Sequence, residues 1–385
     1  MLIDDYCNTL PSKGSVICYK SNIKGYFKFL CPDPEHDKKF NKYLGVPLSP
    51  KQEKFIESYF KKKRDYQKDV LSYHTSIMNS PAKTVKCKIA SVKGFLSFYD
   101  IELPLKFWRL ISNHTRGSRG VTIDKVPTRE ELKKILHFGT LKDRAFFLTL
   151  SSSGMRVGEC CKIKIADIDL ESNPAKIKVR AEYTKSGNPR IVYISEEAKH
   201  SLEQWLKERD RYIQVAVKRL NFSPVERLKK NSEDNRVFPF VTNVARLMWT
   251  RMIRKAGFDE IDPSSGWHNM HIHCLRKFFS SHMNVAGMPH DVVECLLGHE
   301  DGLKRIYNIY SEKQIEELYL KAVNVVTIFE TQGTEEKINE MDEQLKEKGD
   351  RIQNLEHTLK EMKAQITELR LEKLEKLNGM KPSSS

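Results

Sequence analysis

"SSSGMRVGECCKIKIADIDL", residues 151–170, runs from small residues into an apolar, helix-like segment with one guanidinium, Arg156, at the junction. Glu159 follows three residues later, and the next charge waits for the following turn. The stretch reads as a small-residue turn that opens an amphipathic helix carrying Cys160 and Cys161. An arginine at such a helix start is ordinarily a surface ion-pair residue. Arg156 therefore acquires meaning only through partners elsewhere in the chain.

The chain has 385 residues, room for two or three domains at roughly 100–200 residues each. Its net charge of +15 points to a polyanionic partner, nucleic acid before membrane. The excess is local: residues 51–120 hold 15 Lys/Arg against 6 Asp/Glu, whereas residues 334–378 hold 9 against 12. The eight cysteines follow no disulfide-framework spacing and read as reduced thiols of a cytosolic protein. The N-terminus lacks a signal-peptide pattern, and no apolar run approaches the ~18 residues of a membrane helix. A metal site from Cys7, Cys18, Cys31 and His36 is set aside for want of a CxxC pair.

Two similar segments, "SVICYKSNIKGYFKFLC" and "KTVKCKIASVKGFLSFY", carry apolar stripes at helical spacing with lysines opposite. Between them "SPKQEKFIESYFKKKRDYQKDVLSYH" reads as one capped basic helix from Ser49. Residues 1–112 are thus expected to form a helical, basic DNA-binding domain, followed by a Gly/Arg linker at 113–127. Thr128 and Glu131 form a capping-box pattern that opens a second domain, 128–329. Within it, "AKIKVRAEYTKSGNPRIVYIS" predicts a β-hairpin turning at Lys185–Pro189, and helical patterns return at 196–220 and 241–256. In "MPHDVVECLLGHE", Pro289 starts a helix and Gly298 ends it. From residue 338 to 369, nine apolar residues fall at alternating three- and four-residue steps, interrupted at Lys348 and Gly349. That pattern predicts a coiled coil over 334–378, with 379–385 as a disordered end. The fold class is mostly α with a small β-sheet (α+β).

Arg156 gains company in the second domain. "HIHCLRKFF" supplies His273 and Arg276, "LLGHE" places His299 just past a helix end, and Lys185 sits on the hairpin turn. Tyr307 and Tyr310 stand 8 and 11 residues after His299. Each feature alone is weak, since an arginine at a helix start is ordinarily an ion pair and a hairpin lysine is ordinarily solvated.

In order and spacing, "SGMRVGE", the hairpin lysine, "HCLRKFF", "LLGH" and the tyrosine resemble the tyrosine recombinase (phage integrase) family over most of the chain up to about residue 329. "EELYLKAV" resembles archaeal members. The resemblance implies a SAM-like helical core-binding domain and a catalytic domain that cleaves and rejoins DNA at specific sites through a 3′-phosphotyrosyl link. It assigns Arg156, Lys185, His273, Arg276, His299 and a tyrosine to catalysis, with Lys185 as general acid and Glu159 in support. Tyr307 requires one deleted residue relative to the family spacing and is the favoured nucleophile; Tyr310 is the alternative. No cofactor or metal is implied. The implied partners are double-stranded DNA bearing recombination sites and further copies of the chain in a tetrameric synapse, in the cytoplasm at the nucleoid.

The chemistry of these residues agrees. Phosphodiester cleavage passes through five-coordinate phosphorus with negative charge on two non-bridging oxygens. Guanidinium forks match paired oxygens, and fixed cations stabilise such a transition state. Histidines donate hydrogen bonds or move protons near neutral pH. A tyrosine hydroxyl, with an unperturbed pKa of ~10, becomes a nucleophile when cations surround it. His268, His271, His282 and His290 read as surface, core or DNA-facing, and a zinc site from His271, His273 and Cys274 lacks a second ligand pair. Tyr319 reads as core. A type IB topoisomerase would use a similar residue set, and a non-catalytic architectural DNA-binding protein would use the basic domain and the coil alone.

Overall fold

The computed structural model describes residues 2–38, 47–61, 63–115, 124–220, 232–263, 266–299 and 309–329, together with 351, 358 and 362. The coiled coil read over 334–378 lies outside the described residues apart from those last three positions, as do the 379–385 end and Tyr307. The chain divides into two compact units, Met1–Ile123 with Asp262–Gly266, and Asp124–Ile261 with Trp267–Ser385.

The first unit contains α1 (Leu2–Cys7), α2 (Lys13–Leu30), α3 (Pro34–Lys38), α4 (Pro50–Ser58), α5 (Tyr66–Ile77), α6 (Ala82–Phe98) and α7 (Leu105–His114). The stretch from Ser49 is two helices rather than one. Ser49 and Gln52 close a capping box at the start of α4. The chain then restarts at Asp65, whose carboxylate accepts the Lys68 N–H at 3.0 Å. An aspartate that offers its side chain to the backbone favours a cap over a helix interior, so the helix divides there. The core between the long helices is aromatic: Tyr26, Phe27, Tyr59 and Phe95 are buried in mutual edge-to-face contact. Tyr26 and Tyr59 satisfy their hydroxyls against each other at 2.7 Å, as buried phenols require.

The second unit contains α8 (Arg129–His137), α9 (Leu141–Ser153), α10 (Val157–Cys160), α11 (Glu196–Leu220), α12 (Thr242–Lys255), α13 (Cys274–Val285), α14 (His290–Leu297) and α15 (Glu312–Ala322). Thr128 and Glu131 form the capping box that opens α8. Every residue of α9 from Asp143 to Ser153 is buried, and α11, α13 and the sheet pack around it. A helix apolar or small on all sides is a core helix. Ser151–Ser153 are therefore the last turn of α9, not a turn of their own: each hydroxyl donates back to a carbonyl three or four residues earlier.

The sheet has three antiparallel strands in the order β1 (Ile168–Asp169), β2 (Ala175–Val179), β3 (Arg190–Ile194), with Ala175 opposite Ile194 and Val179 opposite Arg190. The hairpin connection is longer than the sequence pattern gives. β2 stops at Val179, and a short 3₁₀ turn, Ala181–Tyr183, precedes Lys185. The Tyr183 hydroxyl and the Arg180 guanidinium both bond Asp167, which draws the chain off the ladder.

The helix that carries "EELYLKAV", α15, ends at Ala322 and is followed by a 3₁₀ turn, Val323–Val325. Tyr319 is core: it is fully buried, and its hydroxyl donates to the Ser152 carbonyl at 2.9 Å. Beyond it, the Ile328 and Phe329 N–H groups donate to the two carboxylate oxygens of Glu197, at 2.7 and 2.8 Å. Glu197, at the start of α11, fastens the segment that follows α15. Burial pushes its pKa up to about 7 against the opposing pull of those two backbone N–H groups.

Candidate active site

The turn after α9 is built for a glycine. Gly154 sits at φ 66°, and a Cβ there would lie 2.4 Å from Phe279 Cδ1. Only a residue without a side chain tolerates both the left-handed backbone and the close ring. Two residues on, Arg156 caps α10. Its backbone N–H donates to Glu159 Oε2 and its guanidinium to Oε1, both at 3.0 Å. The solitary guanidinium is thus gripped at its base by a buried carboxylate, while its side chain stays one-third exposed.

Glu159 has a second partner that the sequence reading missed. Arg190, the first residue of β3, places Nη2 2.7 Å from Glu159 Oε2, and both side chains are 2% exposed. Arg190 Nε also donates to the Leu296 carbonyl at 2.8 Å, in the last turn of α14. Gly298 must be glycine for the same reason: a Cβ there would lie 2.7 Å from Arg190 Nη1, and its φ is 74°. Burial alone would raise the Glu159 pKa. The Arg190 charge and hydrogen bonds, with the bonds from Arg156, hold it below the usual glutamate value. One buried ion pair therefore connects the Arg156 turn to the turn that carries His299.

Arg276, on the first turn of α13, is nearly buried. Nη1 donates to the Gly154 carbonyl at 2.7 Å and Nη2 to His299 Nε2 at 3.0 Å. Burial first, and the nearby Arg156 charge second, lower its pKa to about 9. It stays cationic at neutral pH but sits in a place that an anion would relieve. Because Arg276 can only donate, His299 Nε2 is the acceptor. The ring proton of His299 then lies on Nδ1, which contacts Glu294 Oε2.

His273 begins the same helix. Its backbone N–H donates to His271 Nδ1 at 3.2 Å, so His271 carries its proton on Nε2 and gives it to Asp124 Oδ1 at 3.0 Å. Asp124 also takes the Lys277 ammonium. Burial lowers the His273 pKa, and Arg276, His271 and Lys277 add to the effect while Asp124 opposes it. His273 is accordingly a neutral imidazole near pH 7.

Arg156, His273, Arg276, Lys277, Ser280, Glu294, Leu297 and His299 line one open cleft of about 310 Å³. Four of the residues expected from sequence, Arg156, His273, Arg276 and His299, meet there. Lys185 is exposed and is not among the lining residues. Tyr310 is half-buried and lines a different, smaller cavity with Arg190, Tyr193 and Leu296. Tyr307 lies outside the described residues. His268, His282 and His290 bond elsewhere, to the Asp259 carbonyl, the Phe278 carbonyl and the Asn284 side chain. Among the described residues, no group of three or more His, Cys, Asp or Glu side chains is placed to hold a metal ion. Nor is any helix among them long and apolar enough to cross a membrane.

Two guanidinium groups and two imidazoles thus surround one open cleft, and guanidinium forks are the side chains best matched to paired phosphoryl oxygens. The sequence model of the phage integrase family matches residues 125–317, and the chain belongs to this family, the tyrosine recombinases. Tyrosine recombinase XerA of Pyrococcus horikoshii is 27% identical over 220 residues, 54% of this chain and 64% of that protein, just under two thirds of its length. Tyrosine recombinase XerD of Rickettsia prowazekii is 25% identical over 244 residues, 58% of this chain and 70% of that one. Among solved structures, a lambda integrase(75-356) dimer bound to a COC' core site is similar with a TM-score of 0.48 and 16% identity, over 79% of this chain and 96% of that one. The topoisomerase-like and architectural readings find no support among these relatives.

Proposed function

We propose that this chain is a site-specific DNA recombinase that cleaves and rejoins double-stranded DNA through a covalent 3′-phosphotyrosyl intermediate. The observation that carries this reading is the convergence of Arg156, Arg276, His273 and His299 on one cleft. A scissile phosphate seated there takes the guanidinium forks of both arginines on its non-bridging oxygens. Arg276 then turns its Nη2 from His299 to the phosphate, which frees the lone pair of His299 Nε2 to accept a proton. The Tyr307 oxygen attacks phosphorus and passes its proton to the freed His299 Nε2. The 5′-oxygen leaves and takes a proton from Lys185, once the hairpin connection brings that exposed side chain to the cleft. The ester keeps the bond energy, so the reverse attack by a 5′-hydroxyl rejoins a strand without ATP.

Residues 1–112 serve in this proposal as the core-binding domain, joined through 113–127 to the catalytic domain 128–329. The basic residues of the front half supply phosphate contacts. The heptads at 334–378 pair protomers, and the working assembly is a tetrameric synapse on two duplexes in the cytoplasm, at the nucleoid. The text "EELYLKAV" supports an archaeal type of enzyme.

The test is covalent trapping on nicked DNA carrying candidate sites. A denaturant-resistant protein–DNA adduct is expected without ATP. Tyr307→Phe should abolish it and leave DNA binding intact. If Tyr310→Phe abolishes it instead, the nucleophile is reassigned. If neither variant matters, the enzyme reading fails.

A further inference from the structure

Six of the eight cysteines are buried, whereas Cys18 is exposed and Cys87 half-buried. These two face each other, Sγ to Sγ, at 3.7 Å. Cys18 lies on α2 and Cys87 on α6, helices that pack together in the N-terminal unit. The arrangement is held from one side. Asn22, one turn after Cys18, donates its amide to Ser91 Oγ at 2.9 Å, one turn after Cys87. The same amide nitrogen lies 3.6 and 3.7 Å from the two sulfurs. Ser91 in turn donates to the Cys87 carbonyl at 2.9 Å.

We propose that Cys18 and Cys87 are a redox site that closes to a reversible intramolecular disulfide, cross-linking α2 to α6. The sulfurs are already in contact, and a bond of ~2.05 Å needs a closure smaller than a side-chain rotation supplies. The oxidant is a low-molecular-weight disulfide. The exposed Cys18 thiolate attacks one of its sulfurs, forming a mixed disulfide and releasing one thiolate. The Cys87 thiolate then attacks Cys18 Sγ and displaces the second. The two protons lost by the cysteines end on the two released thiols, so two protein thiols are oxidised and one small disulfide is reduced. The Cys18 thiol pKa is raised by burial and by the adjacent Cys87, so little of it is thiolate near neutral pH and closure quickens as pH rises. In a reducing cytosol such a pair is open and closes under oxidation, the usual behaviour of cytosolic disulfides. The link closes the loop that contains α3, α4 and α5, which constrains the unfolded chain and stiffens the unit.

The full-length reduced protein is incubated with oxidised glutathione, alkylated, digested without reductant and mapped by mass spectrometry. The expected product is one peptide pair joined through Cys18 and Cys87, lighter by two hydrogens. The other six cysteines should be alkylated only after unfolding, and reduced glutathione should reverse the link. Its rate should not change when the protein is diluted. In Cys87→Ser the reaction should stop at a glutathione adduct on Cys18, and Cys18→Ser should show neither adduct nor link. Neither side chain is buried in the core, so both variants keep the fold, checked by circular dichroism. Stable glutathione adducts on both cysteines of the unmutated protein, or a link found only between molecules, would overturn the proposal.

Discussion

Arg190 Nη2 lies 2.7 Å from Glu159 Oε2, with both side chains 2% exposed, and the same arginine holds the Leu296 carbonyl two residues before Gly298. Arg190 is not among the residues that line the cleft, yet it ties Arg156, through Glu159, to the turn from which His299 projects. Removing either member of a buried ion pair leaves an uncompensated charge and costs about 3–5 kcal/mol. Arg190→Met and Glu159→Gln should each lose stability of that order in urea unfolding. The double variant should lose less than the sum, since the pair acts as one unit. Additive losses would show that the two side chains are independent.

Arg156→Ala and Arg276→Ala should each slow adduct formation by about 10²–10³-fold, by analogy with removing one oxyanion donor, with DNA binding much less affected. The lysine variants should also be poor, because an ammonium cannot reproduce the planar fork. Single-turnover cleavage measures this. Near-normal rates for both lysine variants would remove the phosphate-clamp role.

Glu294 contacts His299 Nδ1 and fixes which nitrogen carries the proton. His299→Ala should cost about 10²-fold or more in cleavage if the imidazole moves a proton. Glu294→Ala should cost part of that. The double variant should be no slower than His299→Ala alone, since Glu294 acts through the histidine. A further loss in the double variant would place Glu294 in a separate role.

Glu197 keeps its proton in the fold up to about pH 7, whereas the unfolded chain releases it near the ordinary glutamate value of 4.5. Between those values the folded state binds more protons than the unfolded state. Stability therefore falls as pH rises through the window and levels off above it, by up to a few kcal/mol. Glu197→Gln does not titrate, so its difference from the parent isolates the effect. It also sets an amide N–H against a backbone N–H at 328–329. Urea midpoints across pH 4–8 measure both; a parent whose difference from Glu197→Gln is flat with pH contradicts the assignment.

Deleting residues 334–385 should lower the oligomeric state and slow full recombination while leaving single-site adduct formation nearly unchanged. A two-residue-wide apolar seam at heptad spacing wants a partner helix. Sedimentation that finds a monomer both with and without the tail removes the pairing role.

The sequence alone determined the helices of the catalytic unit where periodicity and caps coincide. Thr128 with Glu131, Pro289 with Gly298, and the patterns at 196–220 and 241–256 mark α8, α14, α11 and α12 to within a residue or two. It also offered Arg156, His273, Arg276 and His299 through the resemblance of their motifs to the family, and these four line one cleft. Other features are not local. Ser151–Ser153 look like a turn because serines disfavour helix interiors, and only burial around α9 makes them helical. The break between Ser58 and Tyr66 was hidden because Asp65 reads equally as a surface charge and as a cap. Arg190 and Glu294 could not be singled out, since each is a single charge beside apolar residues, the pattern of an ordinary surface charge. Their meaning comes from Glu159 and His299, 31 and 5 residues away, which only the folded chain brings within hydrogen-bond reach. Cys18 and Cys87, 69 residues apart with no spacing signature, meet for the same reason: helix packing, not sequence distance, sets which side chains share a surface.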